Sequence, residues 1–232
     1  MRRRHLWTAV ALGIVVVAAA TAIGVHASRS SAPSEDVSLE RLGRYGKVPP
    51  FSLIERSGRR VGRDDLLGHI AVVDFIYTEC TETCPTQSLQ LAQIQKDFAE
   101  VRDLRLLSIT VDPHHDTAEI LSRYAARYGA NDHWWFLTGD QKEIYCLAMS
   151  GFHLSVVDPS MGQAPVCGSA FRFGPAPAWA SHGSKGLIMH SARLVLVDRA
   201  AEIRAYHLAT DPDALEHLKT NLRRLLAERK GR

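Results

Sequence analysis

The stretch "TECTETCP", residues 78 to 85, sets Cys80 and Cys84 four positions apart and closes on Pro85. Thiolate sulfur attacks disulfides and binds soft metals, so the pair is a staple, a redox couple or part of a metal site. A staple is the weakest of the three, because so short a disulfide loop restrains the unfolded chain least. Before the pair runs "HIAVVDFIY", residues 69 to 77, a β-branched and aromatic run suited to a buried central strand. After it, Pro85 fits a first helical turn, and Leu91, Ile94, Phe98 and Val101 recur at helical spacings. The cysteines thus sit where a strand enters a helix N-terminus, where backbone N–H groups and the macrodipole favour a thiolate and lower its pKa.

Spacing begins to separate redox from metal chemistry. Thioredoxin-type oxidoreductases place two residues between their cysteines; here Thr81, Glu82 and Thr83 intervene. On a helical path, residues four apart share a face, which lets two sulfurs converge on one ion. Soft thiolates select Cu(I), zinc or iron–sulfur clusters, and a two-sulfur pair needs at least one further ligand. Among the 11 histidines, His190 stands out because it directly precedes the strand-like "SARLVLVD". His114 and His115, in "VDPHHDT", follow a neighbouring strand and are further candidates, whereas His133, His153, His182, His207 and His217 have no comparable argument. Asp74, inside the apolar run, demands a partner or a role in tuning the thiols.

These residues need a scaffold, and the chain spells one out. "VPPFSLIERSGRRV" reads as two short strands around a turn at Ser57-Gly58, and "LRLLSITV", residues 104 to 111, as another buried strand. Asp116 followed by Glu119 resembles a capping box for a helix from Thr117 to Tyr128, ended by Gly129. "WWFLTG" supplies a third core strand, and a short helix follows Asp140. From Gly151 to about Met189, glycine, proline, serine and alanine dominate and periodicity is lost, which predicts a long loop. "ARLVLVD" and "EIRAYH" form a hairpin around Arg199-Ala200-Ala201, and Pro212 opens an amphipathic helix carrying Leu215, Leu218, Leu222 and Leu225. Alternating strands and helices followed by a hairpin predict an α/β mixed sheet flanked by helices, the thioredoxin-like layout.

The 232 residues accommodate one domain plus an appendage. A net charge of +3, with no basic stripe, argues against nucleic acid as a partner. The appendage is N-terminal: three arginines, Arg2 to Arg4, precede Leu6 to Val25, twenty uncharged residues long enough to span a bilayer as a helix. A cleaved signal peptide is the alternative, but its apolar core is ordinarily shorter. The expected organisation is a cytoplasmic basic N-terminus (1–5), a transmembrane anchor (6–26), a linker (27–45) and a thioredoxin-like domain (46–232). The positive-inside tendency then places the domain beyond the inner, cytoplasmic membrane, on the periplasmic or extracytoplasmic side. In such a compartment Cys146 and Cys167 are expected to form a disulfide pinning the long loop, the alternative being a second thiol site. Met161 and Met189 are weaker metal-ligand candidates.

Four pieces together resemble the Sco/SenC family: "DFIYTECTETCP" against its strand and C-x-x-x-C-P, "VDPHHDT" against V-D-P-x-x-D-T, "FLTG", and "MHSARLVLVD". The family comprises membrane-anchored, copper-binding, thioredoxin-like proteins that help assemble cytochrome c oxidase. The resemblance covers roughly Val48 to the C-terminal helix and implies a copper site of Cys80, Cys84 and His190. Thr81 stands where many members have proline, and "DRAAE" lacks the usual turn glycine. The implied function is a metallochaperone that passes copper to the oxidase's copper-binding subunit or exchanges it with other copper chaperones. The alternative is an oxidoreductase whose Cys80 and Cys84 keep that subunit's cysteines reduced. A thiol peroxidase, with its P-x-x-x-T-x-x-C pattern, fits Thr81 but meets Tyr77 in place of proline.

Overall fold

A computed structural model describes residues 39–158, 165–167 and 189–228, with Met189 and His190 described by backbone alone. The expected anchor, most of the linker and Met161 lie outside the described residues. Among those described, no helix is long and apolar enough to cross a membrane.

The chain opens with β1 (Ser52–Glu55) and β2 (Arg60–Gly62), a hairpin turning at Gly58, whose φ of +88° suits glycine. Next come β3 (Ile70–Ile76), α1 (Thr83–Asp97), β4 (Leu104–Thr110), α2 (Ala118–Arg127) and β5 (Trp134–Thr138). A short helix α3 (Gln141–Cys146) continues into a π-turn over Leu147–Gly151. The two-residue strands β6 (Val156–Val157) and β7 (Met189–His190), the hairpin β8 (Arg193–Val197) and β9 (Ile203–Leu208), and α4 (Pro212–Ala227) complete it.

The main sheet has the order β2-β1-β5-β4-β3-β8-β9. Strands β3, β4 and β5 run parallel, and the rest pair antiparallel, which is the mixed sheet the sequence implied. All seven residues of β3 are buried, as a strand covered on both faces requires. Parallel pairing forces a crossover after each strand, and α1 and α2 supply them. Helix α2 is capped by Thr117, whose side chain accepts from the Ile120 N–H, and is followed by Gly129 at φ +64°. The expected capping box at Asp116 does not form, because that carboxylate is turned inward and fully buried. In the β8–β9 turn, where the family's glycine is missing, Ala201 takes a φ of +55°.

Two further differences concern segment boundaries. Residues from Leu39 onward belong to the packed unit: Gly43 and Tyr45 donate to the carbonyls of Arg204 and Ile203, so the last part of the expected linker runs along β9. The segment expected as a long loop holds β6, which pairs antiparallel with β7 through Val156–His190 and Val157–Met189. Two residues are too few for periodicity to reveal.

His207 in β9 is fully buried, with Asn221 of α4 approaching Nε2 at 3.4 Å. Burial, reinforced by the charges of His217 and Arg193, pushes its imidazole down to about 4. A depressed histidine stays neutral in the fold while the unfolded chain takes up a proton, so stability falls as pH drops from 6.5 towards 4. By pH 5 this costs about 2 kcal/mol. Chemical denaturation of wild type and His207→Gln at pH 7 and pH 5 should show the variant losing less stability over that interval by a similar amount; parallel losses would refute the assignment.

Candidate metal centre

Beyond Ile76 the chain leaves the sheet through a turn, with the Cys80 N–H bonded to the Tyr77 carbonyl at 3.2 Å. Cys80 therefore precedes α1, and Cys84 lies in its first turn. The two cysteines meet across the helix start: the Cys84 N–H points at Cys80 Sγ, 3.5 Å away, and the Cys84 side chain is hydrogen-bonded to Cys80. Cys84 is fully buried and Cys80 half-buried, and neither takes part in a disulfide.

The electrostatics correct one expectation. The helix start was expected to lower a thiol pKa, but burial pushes the Cys84 thiol up, and its hydrogen bond to Cys80 and that sulfur's charge push it further. An N–H from Tyr77 works in the opposite direction without prevailing, and the buried Asp74 adds its own charge against ionisation. The Tyr77 phenol, hydrogen-bonded to Cys80, is likewise pushed up, first by burial and then by the two sulfurs.

Asp116 was missed as a site residue. Its buried carboxylate accepts from Thr78 N–H at 3.0 Å, from Thr78 Oγ1 at 2.5 Å and from Thr110 Oγ1 at 2.5 Å. His115 Nδ1 lies 2.9 Å from the same carboxylate, and His115 Nε2 lies 3.3 Å from Glu79. Both ring nitrogens of His115 thus face carboxylates, Asp116 on one side and Glu79 on the other. Those carboxylates raise its pKa, Asp116 foremost. Among the described residues no group of three histidine, cysteine or acidic side chains, with or without His114, is arranged to hold a metal ion.

His190 stands in β7, three residues before β8, and β8 pairs with β3 through Val195 and Val73. Its backbone belongs to the β6–β7 ribbon, and its side chain lies outside the described residues. Helix α3 holds the neighbouring segments. Tyr145 donates its hydroxyl towards Asp158 and the Val111 carbonyl, both at 3.0 Å, and Cys146 forms the expected disulfide with Cys167.

A mixed sheet whose central strand delivers a C-x-x-x-C pair to a helix start defines a thioredoxin-like thiol domain. The chain belongs to the SCO1/SenC family, whose sequence profile matches residues 40–226. It is 36% identical over 116 residues to the SCO1 protein homolog of Bacillus subtilis, covering 49% of this chain and 60% of that protein. Across the first three curated relatives the match spans 46 to 60% of their length. The fold is shared with BsSco, a member of the Sco family of cytochrome c oxidase assembly proteins in which a disulfide switch is identified. That match has 23% identity and a TM-score of 0.60, over 82% of this chain and 99% of that one. It is shared too with copper-bound ScoI of Arabidopsis thaliana, at 21% identity and TM-score 0.58, over 77% and 98%.

The unequal burial of the thiols is directly measurable. Under limiting iodoacetamide at neutral pH, mass mapping of the full chain should find Cys80 modified at least about tenfold faster than Cys84. Equal rates would contradict the arrangement.

Proposed function

We propose that this chain is a membrane-anchored copper metallochaperone that binds copper through Cys80, Cys84 and His190 and hands it on during maturation of cytochrome c oxidase. The observation carrying this reading is the contact between the Cys84 N–H and Cys80 Sγ, which gathers two soft donors at one end of the sheet. Family membership supports it, as do the copper-bound ScoI and the oxidase-assembly role named for BsSco. Two thiolates and an imidazole suit Cu(I) in softness and number. Burial raises the Cys84 thiol, so copper displaces a proton there, and binding releases protons and favours higher pH. Cys80, half-buried, is the more accessible member, through which an incoming thiolate of the recipient begins exchange. The recipient is the copper-binding subunit of the oxidase or another copper chaperone.

The same pair supports thiol–disulfide exchange. Cys80 thiolate attacks a partner disulfide, forming a mixed disulfide and releasing one partner thiolate. Cys84 then attacks the Cys80 sulfur as its proton passes to the departing partner sulfur, so two electrons and one proton reach the partner, whose first thiolate takes its proton from solvent. The adjacency of Cys80 and Cys84 favours this second reading as an accompaniment to copper transfer.

Competitive Cu(I) titration of the reduced full chain in detergent should give tight one-to-one binding. Cys80→Ser and His190→Ala should each weaken it by tenfold or more, with little change in apo stability. Unchanged affinity in His190→Ala removes that ligand, and absence of tight binding leaves exchange as the function.

The localisation follows from Leu6 to Val25 and the arginines before it: a single-pass anchor in the cytoplasmic membrane, with the domain outside. Protease added to spheroplasts should digest the domain while cytoplasmic markers survive; a protected domain would reverse the orientation.

A further inference from the structure

We propose that Asp116 is a positioning residue for Cys80, fixing the turn that presents this sulfur. The inference rests on the reading of Cys80 as a ligand. Asp116 is fully buried, and a buried carboxylate persists only where donors surround it. Four groups do so here, and three of them, the Thr78 N–H, the Thr78 hydroxyl and His115 Nδ1, bear on the turn that leads into Cys80. His115 relays the grip to Glu79, the residue directly before Cys80, through its other nitrogen.

The far side of the clamp is anchored to the sheet. Thr110 ends β4 and donates its hydroxyl to Asp116 at 2.5 Å while accepting from the Asp112 N–H at 3.0 Å. The Val111 N–H bonds the Ile76 carbonyl at 2.8 Å, joining this loop to the end of β3. Asp116 thus ties the turn Tyr77 to Cys80, the part of the site outside regular structure, to two rigid strand ends. Cys84 needs no such help, since α1 and the core hold it. Removing the carboxylate frees Cys80 to swing away from the Cys84 N–H, and the site loses the fixed separation of its sulfurs.

The test is Asp116→Asn in the full chain. The amide offers one acceptor oxygen where the carboxylate offers two. Outer partners of metal ligands typically change affinity by about 10- to 100-fold, and a Cu(I) affinity loss in that range is expected. The thiolate-to-Cu(II) charge-transfer band should also shift or broaden. Asp103→Asn, which breaks the ion pair with Arg199 at the other end of the strands, serves as a control for general destabilisation. It should lower stability and leave affinity and band unchanged. Where Asp116→Asn fails to fold, Thr78→Val, which deletes one donor and keeps the carboxylate, carries the same prediction in smaller degree.

The equilibrium constant of the Cys80–Cys84 couple against a dithiol buffer separates this proposal from the copper reading. If the wild type binds no copper, a tenfold or greater change in that constant in Asp116→Asn still supports positioning. Wild-type values for affinity, band and couple in a folded Asp116→Asn, or an equal effect from Asp103→Asn, would overturn it.

Discussion

Sealing a seven-residue strand from solvent on both faces, with its edges bonded to β4 and β8, leaves that strand no freedom of position, and the thiol site is built outward from it. Strand β3 ends at Ile76, and both cysteines follow within eight residues. The parallel neighbour β4 ends at the same level, so the loop after Thr110 arrives beside the loop after Ile76. The antiparallel neighbour β8 begins at that end, so the segment preceding it arrives there too. Three separated stretches of chain are brought to one rim by strand direction alone. Side-chain contacts then decide what each stretch does there.

Those contacts make the cysteines unlike one another. A helix N-terminus favours a nearby anion by about 0.3–1 kcal/mol in ordinary settings, whereas removing a charge from water costs several. For Cys84 the second effect is the larger, because the residue lies fully inside the core cluster, with Asp74 also buried nearby. Desolvation wins, and the helix start cannot make an exposed-type thiolate of it. A buried thiol held protonated by its surroundings is a poor spontaneous nucleophile and a good latent ligand, because a soft cation supplies the positive charge the core lacks. Cys80 is half-buried, and its sulfur accepts from the Cys84 N–H.

The succession of elements along the chain, the two crossovers, the C-terminal hairpin and the cysteine pair were legible because each leaves a repeated mark: apolar runs, helical spacing, a turn signal. The features that were not legible depend on which way a single side chain turns. Asp116 and Thr117 are adjacent and both suit an N-cap; only the presence of Thr110 and Thr78 on the inner side sends Asp116 inward and leaves Thr117 to cap α2. His115 reads as a ligand candidate, and nothing in its spacing shows that Glu79 and Asp116 lie on its two nitrogens. Ala201 adopts the conformation that glycine ordinarily fills, so the missing glycine changed the strain of the turn without removing the turn. The dipole argument for Cys84 failed for a related reason: sequence gives the helix start, but burial depends on what packs over it.

The backbone that carries His190 poses a question of magnitude. Helix α3 is tied to the neighbouring segments twice, by the Cys146–Cys167 disulfide and by Tyr145 with Asp158. Without the disulfide, the span to be closed before β7 runs from Asp158 and not from Cys167, about 30 residues in place of about 21, and loop-closure entropy changes by only about 0.3 kcal/mol. On chain-length grounds the disulfide adds almost nothing to the pairing of β7 with β6. Its effect is instead on the unfolded chain, where closing a loop of this size contributes on the order of 3 kcal/mol. What keeps the backbone of His190 at the rim is therefore the ribbon's own pairing at Val156 and Val157, together with the short lead into β8, whose register against β3 is already fixed. The disulfide stabilises the domain as a whole, and the geometry of the site traces back to the same buried strand that positions the cysteines.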